Sequence, residues 1–120
     1  MSIQVSNLTK IYGQQKAINN ISFKIDNAEI VGFLGPNGAG KSTTMKIITG
    51  YLEADEGDAL VTGMNVKGDK LQTKKKIGYL PEGNPLYYEM YVREYLEFIA
   101  NVHQIKNIKN RIEEVIALTG

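Results

Sequence analysis

The stretch GPNGAGKSTT, residues 35 to 44, places three glycines and a proline within six positions, follows them with a lysine and three hydroxyl side chains, and contains no acid. Gly35, Gly40, Lys41 and Ser42 satisfy the spacing G-x-x-x-x-G-K-[ST]. Each residue type has its own reason to be there. Glycines at 35, 38 and 40 let backbone N–H groups turn toward an anion without a Cβ in the way. A helix beginning at Lys41 offers its unpaired N–H groups and the positive end of its dipole to the same anion. Lys41 adds a point charge for terminal phosphates, and the Ser42 hydroxyl is a ligand for the accompanying Mg²⁺. The expected ligand is a nucleoside triphosphate with Mg²⁺, held by Gly35, Asn37, Gly38, Ala39, Gly40, Lys41, Ser42 and Thr43.

Such a loop works only if a strand delivers it and a helix receives it. Before it, Ile30 to Leu34 is continuously apolar, the pattern of a strand covered on both faces in a parallel sheet. After it, Met45, Ile48 and Leu52 recur at helical spacing, which predicts a helix from Lys41 to about Thr49, closed near Gly50. Further upstream, Ile3 and Val5, and then Ile21, Phe23 and Ile25, alternate with polar residues, as strands with one wet face do. Tyr12 and Gly13 mark one turn, Asp26 and Asn27 another. Downstream, Ala59 to Val66 reads as a strand interrupted by glycine, Asp69 to Lys76 as a short polar helix, and Ile77 to Leu80 as a brief strand. Pro81, Gly83, Asn84 and Pro85 end that strand. Two amphipathic helices follow, the first with Val92, Tyr95, Leu96, Ile99 and His103 on one face, the second with Ile108, Ile112, Val115 and Ile116 on one face.

Composition sets the outer limits. A chain of 120 residues with 42% hydrophobic content is one domain or a part of one. It has no cysteine and a single histidine, which excludes disulfide frameworks, thiolate metal sites and histidine-rich ones, and a reducing cytosolic setting fits. A net charge of +1 gives no field toward nucleic acid, and the basic run Lys74, Lys75 and Lys76 reads as a solvated face. Apolar runs fall short of the roughly 20 residues a bilayer needs, and the N-terminus lacks the apolar core of a signal peptide. Any membrane role is therefore expected to be peripheral.

The segments LTKIYG, AINNISFKI, EIVGFLGPNGAGKSTTMKIITGYL and GYLPEGNPLY, in that order, resemble the N-terminal half of an ABC transporter ATP-binding subunit, and the resemblance covers essentially the whole chain. The last of them, extended through EMYVREYLEFIA, is most similar to ATP-binding subunits associated with gliding motility. The implied fold is an α/β P-loop core of ABC type with an N-terminal antiparallel β portion and the start of a helical subdomain. Residues 1–80 would form the β portion and P-loop core, and 81–120 the Q-loop and the start of the helical subdomain.

The resemblance also assigns roles. Tyr12 matches the family's A-loop aromatic, which stacks on adenine. Glu82 falls where the family usually has the Q-loop glutamine, which contacts Mg²⁺ and the attacking water; export-type members resemble this chain in carrying glutamate there. Lys41 and Glu82 are the expected catalytic residues, and Ser42 and Glu82 the expected metal contacts. Tyr87, Tyr88, Tyr91 and Tyr95 read first as packing, though in the family the segment after the Q-loop faces the coupling helices of the membrane subunits. His103 reads as a core or boundary residue. Asn27 and Ala28 stand where the family commonly has a glycine, and Ala54 where it often has a proline.

The family's Walker B aspartate and glutamate, LSGGQ signature and switch histidine have no counterpart in these residues. The expectation is therefore a truncated part of a longer ATPase, inactive alone. Its parent would bind ATP and Mg²⁺, dimerise head to tail with a second ATP-binding subunit, and power transmembrane transporter subunits from the cytoplasmic face of the membrane, with no nucleic acid involved. The alternatives are a non-catalytic nucleotide-binding module and a soluble family member without a membrane partner.

Overall fold

The computed structural model describes residues 1–84 and 86–120; Pro85, one of the residues expected to end the strand Ile77 to Leu80, lies outside them. The chain divides into two compact units, Met1–Tyr79 and Leu80–Gly120. The first unit is built on strands β1 (Ile3–Tyr12), β2 (Gln15–Ile25), β3 (Glu56–Val61) and β4 (Met64–Asn65), with helices α1 (Lys41–Ile48) and α2 (Lys70–Lys75). The strands form one sheet in the order β2-β1-β3-β4, antiparallel at every pairing.

Local sequence explains most of this. Gly13 and Gln14 close the hairpin between Tyr12 and Gln15, which pair across it. The glycine interruption at Thr62 and Gly63 folds the expected single strand into the β3–β4 hairpin, with Val61 opposite Met64. The inward residues of the alternating segments, Val5, Leu8, Ile18, Ala59 and Val61, form the core with Ile47 and Ile48 of α1 and Val66. Leu8 and Ile47 are completely covered, and each such side chain contributes about 1.5–3 kcal/mol of burial free energy. The buried face of α1 is Thr44, Ile47 and Ile48, one step from the expected stripe: Met45 is exposed, and Leu52 lies beyond the helix, half-buried against the same core.

Two expected strands are not formed. Ile30 to Leu34 belongs to no strand or helix, with Ile30 fully exposed and Leu34 94% exposed. An apolar run becomes a central strand only when neighbours accept its N–H and C=O groups. Among the described residues no strand pairs with it, and the Phe33 ring lies 5.6 Å from that of Phe23. Ile77 to Leu80 is likewise unpaired, Leu80 lying exposed at the start of the second unit.

The second unit holds α3 (Val92–Val102) and α4 (Ile108–Thr119). The Glu94 carboxylate accepts the Tyr91 backbone N–H at 3.0 Å and closes the start of α3. Arg93 donates to both oxygens of Glu113 across the two helices, and that carboxylate raises the guanidinium pKa further. Tyr87 meets Phe98 edge to face at 5.8 Å, so part of the tyrosine cluster does pack, while Tyr88 and Tyr91 stay exposed. His103 caps α3 and is exposed at the edge of an apolar groove between the helices rather than in a core. No helix among the described residues is long and apolar enough to cross a membrane.

Candidate functional site

The glycine-rich loop is shaped by its own backbone. Ala39 N–H donates to the Pro36 carbonyl at 3.2 Å, closing a turn over Asn37 and Gly38. Gly38 has φ 82° and Gly40 φ 90°, a region that L side chains enter only with strain. At Gly40 there is a second reason for glycine, because an added Cβ would run into the carbonyl oxygen of Ala17. Ala17 is the unpaired residue of a bulge in β2, between the pairs Lys10–Ile18 and Ile11–Lys16. The irregularity in the strand and the missing side chain in the loop together seat the loop against the sheet.

Helix α1 starts directly from this turn. The Gly40 carbonyl accepts Thr44 N–H at 2.9 Å and the buried Thr44 hydroxyl at 2.8 Å, so the first turn is held from inside the fold. No acidic residue lies in that turn, which leaves the positive end of the helix uncompensated. The Lys41 ammonium folds back over the loop and donates to the carbonyl oxygens of Gly35 and, at 2.7 Å, Pro36. A full positive charge is thereby held at the loop beside the helix N-terminus. Ser42 is exposed at the second position of α1, and Thr43 is half-buried.

This arrangement suits a polyanion: backbone donors, a helix terminus and an ammonium group act on the same region, and the loop contributes no repelling acid. It also fits Mg²⁺ of the kind that arrives with phosphates. The exposed Ser42 hydroxyl would supply one oxygen ligand, and phosphate oxygens supply others in sites of this type. Among the described residues no group of three or more His, Cys, Asp or Glu is arranged to hold a metal by itself.

Tyr12 lies at the end of β1, beside the hairpin turn, with half its surface exposed. The Lys10 ammonium stands 5.5 Å from its ring centroid and 3.7 Å from Oδ2 of Asp55. That same Asp55 oxygen accepts the Ile11 N–H at 2.7 Å, and Asp55 N–H donates to the Thr9 carbonyl at 2.9 Å. Sequence reasoning missed both Lys10 and Asp55. Lys10 carried a signal, since residues two apart on a strand share a face; Asp55 is remote in sequence and carried none. Glu82 belongs to the second unit, where it lies exposed in a bend.

Fold and loop together define an α/β nucleotide-binding domain of the P-loop kind. The chain matches the family described as "ABC transporter" over residues 18–120 and belongs to it. Among curated proteins it is 38% identical over 104 residues to a probable multidrug ABC transporter ATP-binding protein, YbhF, of Escherichia coli, covering 87% of this chain and 18% of that protein. It is 38% identical over 112 residues to the SkfA peptide export ATP-binding protein SkfE of Bacillus subtilis, covering 92% and 46%. Among solved structures, an ATP-binding subunit of an ABC transporter superposes with a TM-score of 0.80 at 30% identity, over 89% of this chain and 45% of that one. A putative ABC transporter ATP-binding protein from Pyrococcus furiosus gives 0.78 at 29% identity, over 95% and 55%. The chain therefore spans less than half the length of these curated relatives.

Proposed function

We propose that this chain binds ATP with Mg²⁺ through residues 35–43, and that in a longer protein built like its relatives it belongs to an ATPase that powers a membrane transporter. The observation that carries this reading is the Lys41 ammonium, held over the loop carbonyls at the start of α1. Ser42 would contact Mg²⁺, and Tyr12 would offer its ring to the adenine. The assignment of Glu82 to metal and water rests on its place in the sequence GYLPEGN alone. The same family membership supports a head-to-tail pair of ATP-binding subunits, transmembrane partner subunits and a peripheral place at the cytoplasmic face of the membrane. The test is titration of the full-length protein with ATP and Mg²⁺. Lys41→Ala should weaken binding by about 1.5–3 kcal/mol, the range for a charge-assisted hydrogen bond. Unchanged affinity would remove the loop from the site.

A narrower proposal places the protein with gliding-motility subunits. It rests on the sequence from Gly78 through Ala100, whereas the relatives above are named for multidrug transport and peptide export. Deleting the gene in its source organism tests it: loss of gliding supports the assignment, and an unaffected strain removes it.

A further inference from the structure

We propose that Lys10, anchored by Asp55, is a positioning residue for the nucleotide base: it holds the Tyr12 ring in the orientation that receives the base. The inference rests on the proposed ATP binding and goes beyond it, because it assigns a task to two residues outside the phosphate loop.

Tyr12 sits at the end of a strand, beside a turn and half exposed, where an unsupported ring would sample several rotamers. A platform that must be ordered on binding loses affinity to that ordering. Here one face is already engaged. The Lys10 ammonium, 5.5 Å from the ring centroid, lies within the distance at which a cation is attracted to an aromatic face. Lys10 is itself restrained, with its side chain only 15% exposed and its ammonium 3.7 Å from Asp55 Oδ2. Asp55 also fixes the backbone on both sides of Lys10, accepting the Ile11 N–H with its carboxylate and donating its own N–H to the Thr9 carbonyl. These contacts fall where the pairing of β1 with β2 slips between Lys10 and Ile11, the point at which the strand end would otherwise be least constrained. Asp55 immediately precedes β3, so the entry to that strand is tied to the end of β1 that carries Tyr12.

The test measures ATP and inorganic tripolyphosphate binding to the full-length protein by calorimetry. Lys10→Met should weaken ATP about three- to ten-fold, the scale of a partly desolvated cation–π contact, and leave tripolyphosphate unchanged. Lys10→Arg should restore affinity to within about two-fold, since guanidinium also stacks on aromatic faces. Asp55→Asn, which keeps the shape and an acceptor for Ile11, should give a smaller loss confined to ATP. In a Tyr12→Leu background, Lys10→Met should cost nothing further. Equal losses for ATP and tripolyphosphate, a loss that persists in the Tyr12→Leu background, or no loss at all would each overturn the proposal. So would a Tyr12→Leu variant that binds ATP normally. Lys41→Ala in the same assay reports on the phosphate loop separately, so the underlying reading and this inference fail by different results.

Discussion

At the scale of single residues, Tyr12 and Ala28 make opposite demands on their side chains. The stacking assigned to Tyr12 uses the ring face, so Tyr12→Phe should leave ATP affinity of the full-length protein nearly unchanged, while Tyr12→Ala should cost about 0.5–1.5 kcal/mol. Equal losses from both changes would point to the hydroxyl instead. A ring face reads no base edges, so GTP should also bind, only moderately less well. At Ala28 the side chain is the difficulty. The residue has φ 61° in the turn after β2, a conformation that costs an L residue about 1–2 kcal/mol. Glycine would remove that strain and return part of the gain as unfolded-state entropy. Ala28→Gly should therefore stabilise the protein by a net of about 0.5–1 kcal/mol, read from the urea midpoint. A midpoint that falls would mean that the methyl group makes a contact worth more than the strain.

Elements depend on ties that run between them, and one of these responds to pH. Lys70, at the start of α2, donates to Glu53 Oε1 at 2.7 Å, joining that helix to the loop that leaves α1. The hydrogen bond from Lys70, followed by its charge, holds the Glu53 carboxyl below its ordinary 4.5. A depressed folded-state pKa contributes stability that is present above the unfolded value and is lost as pH falls through the folded one. Both side chains are exposed, so the effect is small and screened by salt. Glu53→Gln should lower the melting temperature slightly at neutral pH and low salt, and the difference from wild type should vanish below the ordinary carboxylate range. A difference that persisted in acid would assign it to packing. Sequence reached the helices and the first hairpin because their signals are local: Asp69 to Lys76 brackets α2, and the Tyr12–Gly13 turn marks the β1–β2 hairpin, whereas the β3–β4 hairpin reads as a single interrupted strand. The candidate phosphate loop is legible for the same reason, since its glycines, lysine and serine are contiguous. Sequence did not find the pairing of Lys10 with Asp55 or the seat of Gly40 against Ala17, because each joins residues brought together only when the sheet forms.

For the whole molecule, the decisive feature is the apolar segment that the sequence marks as a central strand and the structure leaves unpaired. Ile30 and Leu34 are exposed, and the backbone between them has no strand neighbour among the described residues. An exposed apolar segment with free hydrogen-bonding groups is a template for association with other chains. The relatives are longer than this chain, and in such a protein we expect further strands to flank residues 30–34. Residues 1–120 expressed alone should therefore self-associate, and replacing Ile30 and Leu34 with lysine should shift them toward monomer, as read by sedimentation velocity. The same preparation should release no phosphate from ATP above background. Phosphoryl transfer needs several groups acting together, and the sequence offers the phosphate loop, Lys41, Ser42 and Glu82 without the further acids and donors the family resemblance calls for. A monodisperse monomer with steady Mg²⁺-dependent turnover would overturn both expectations, because the exposed edge would then be harmless and the catalytic groups would have to lie among the residues described here.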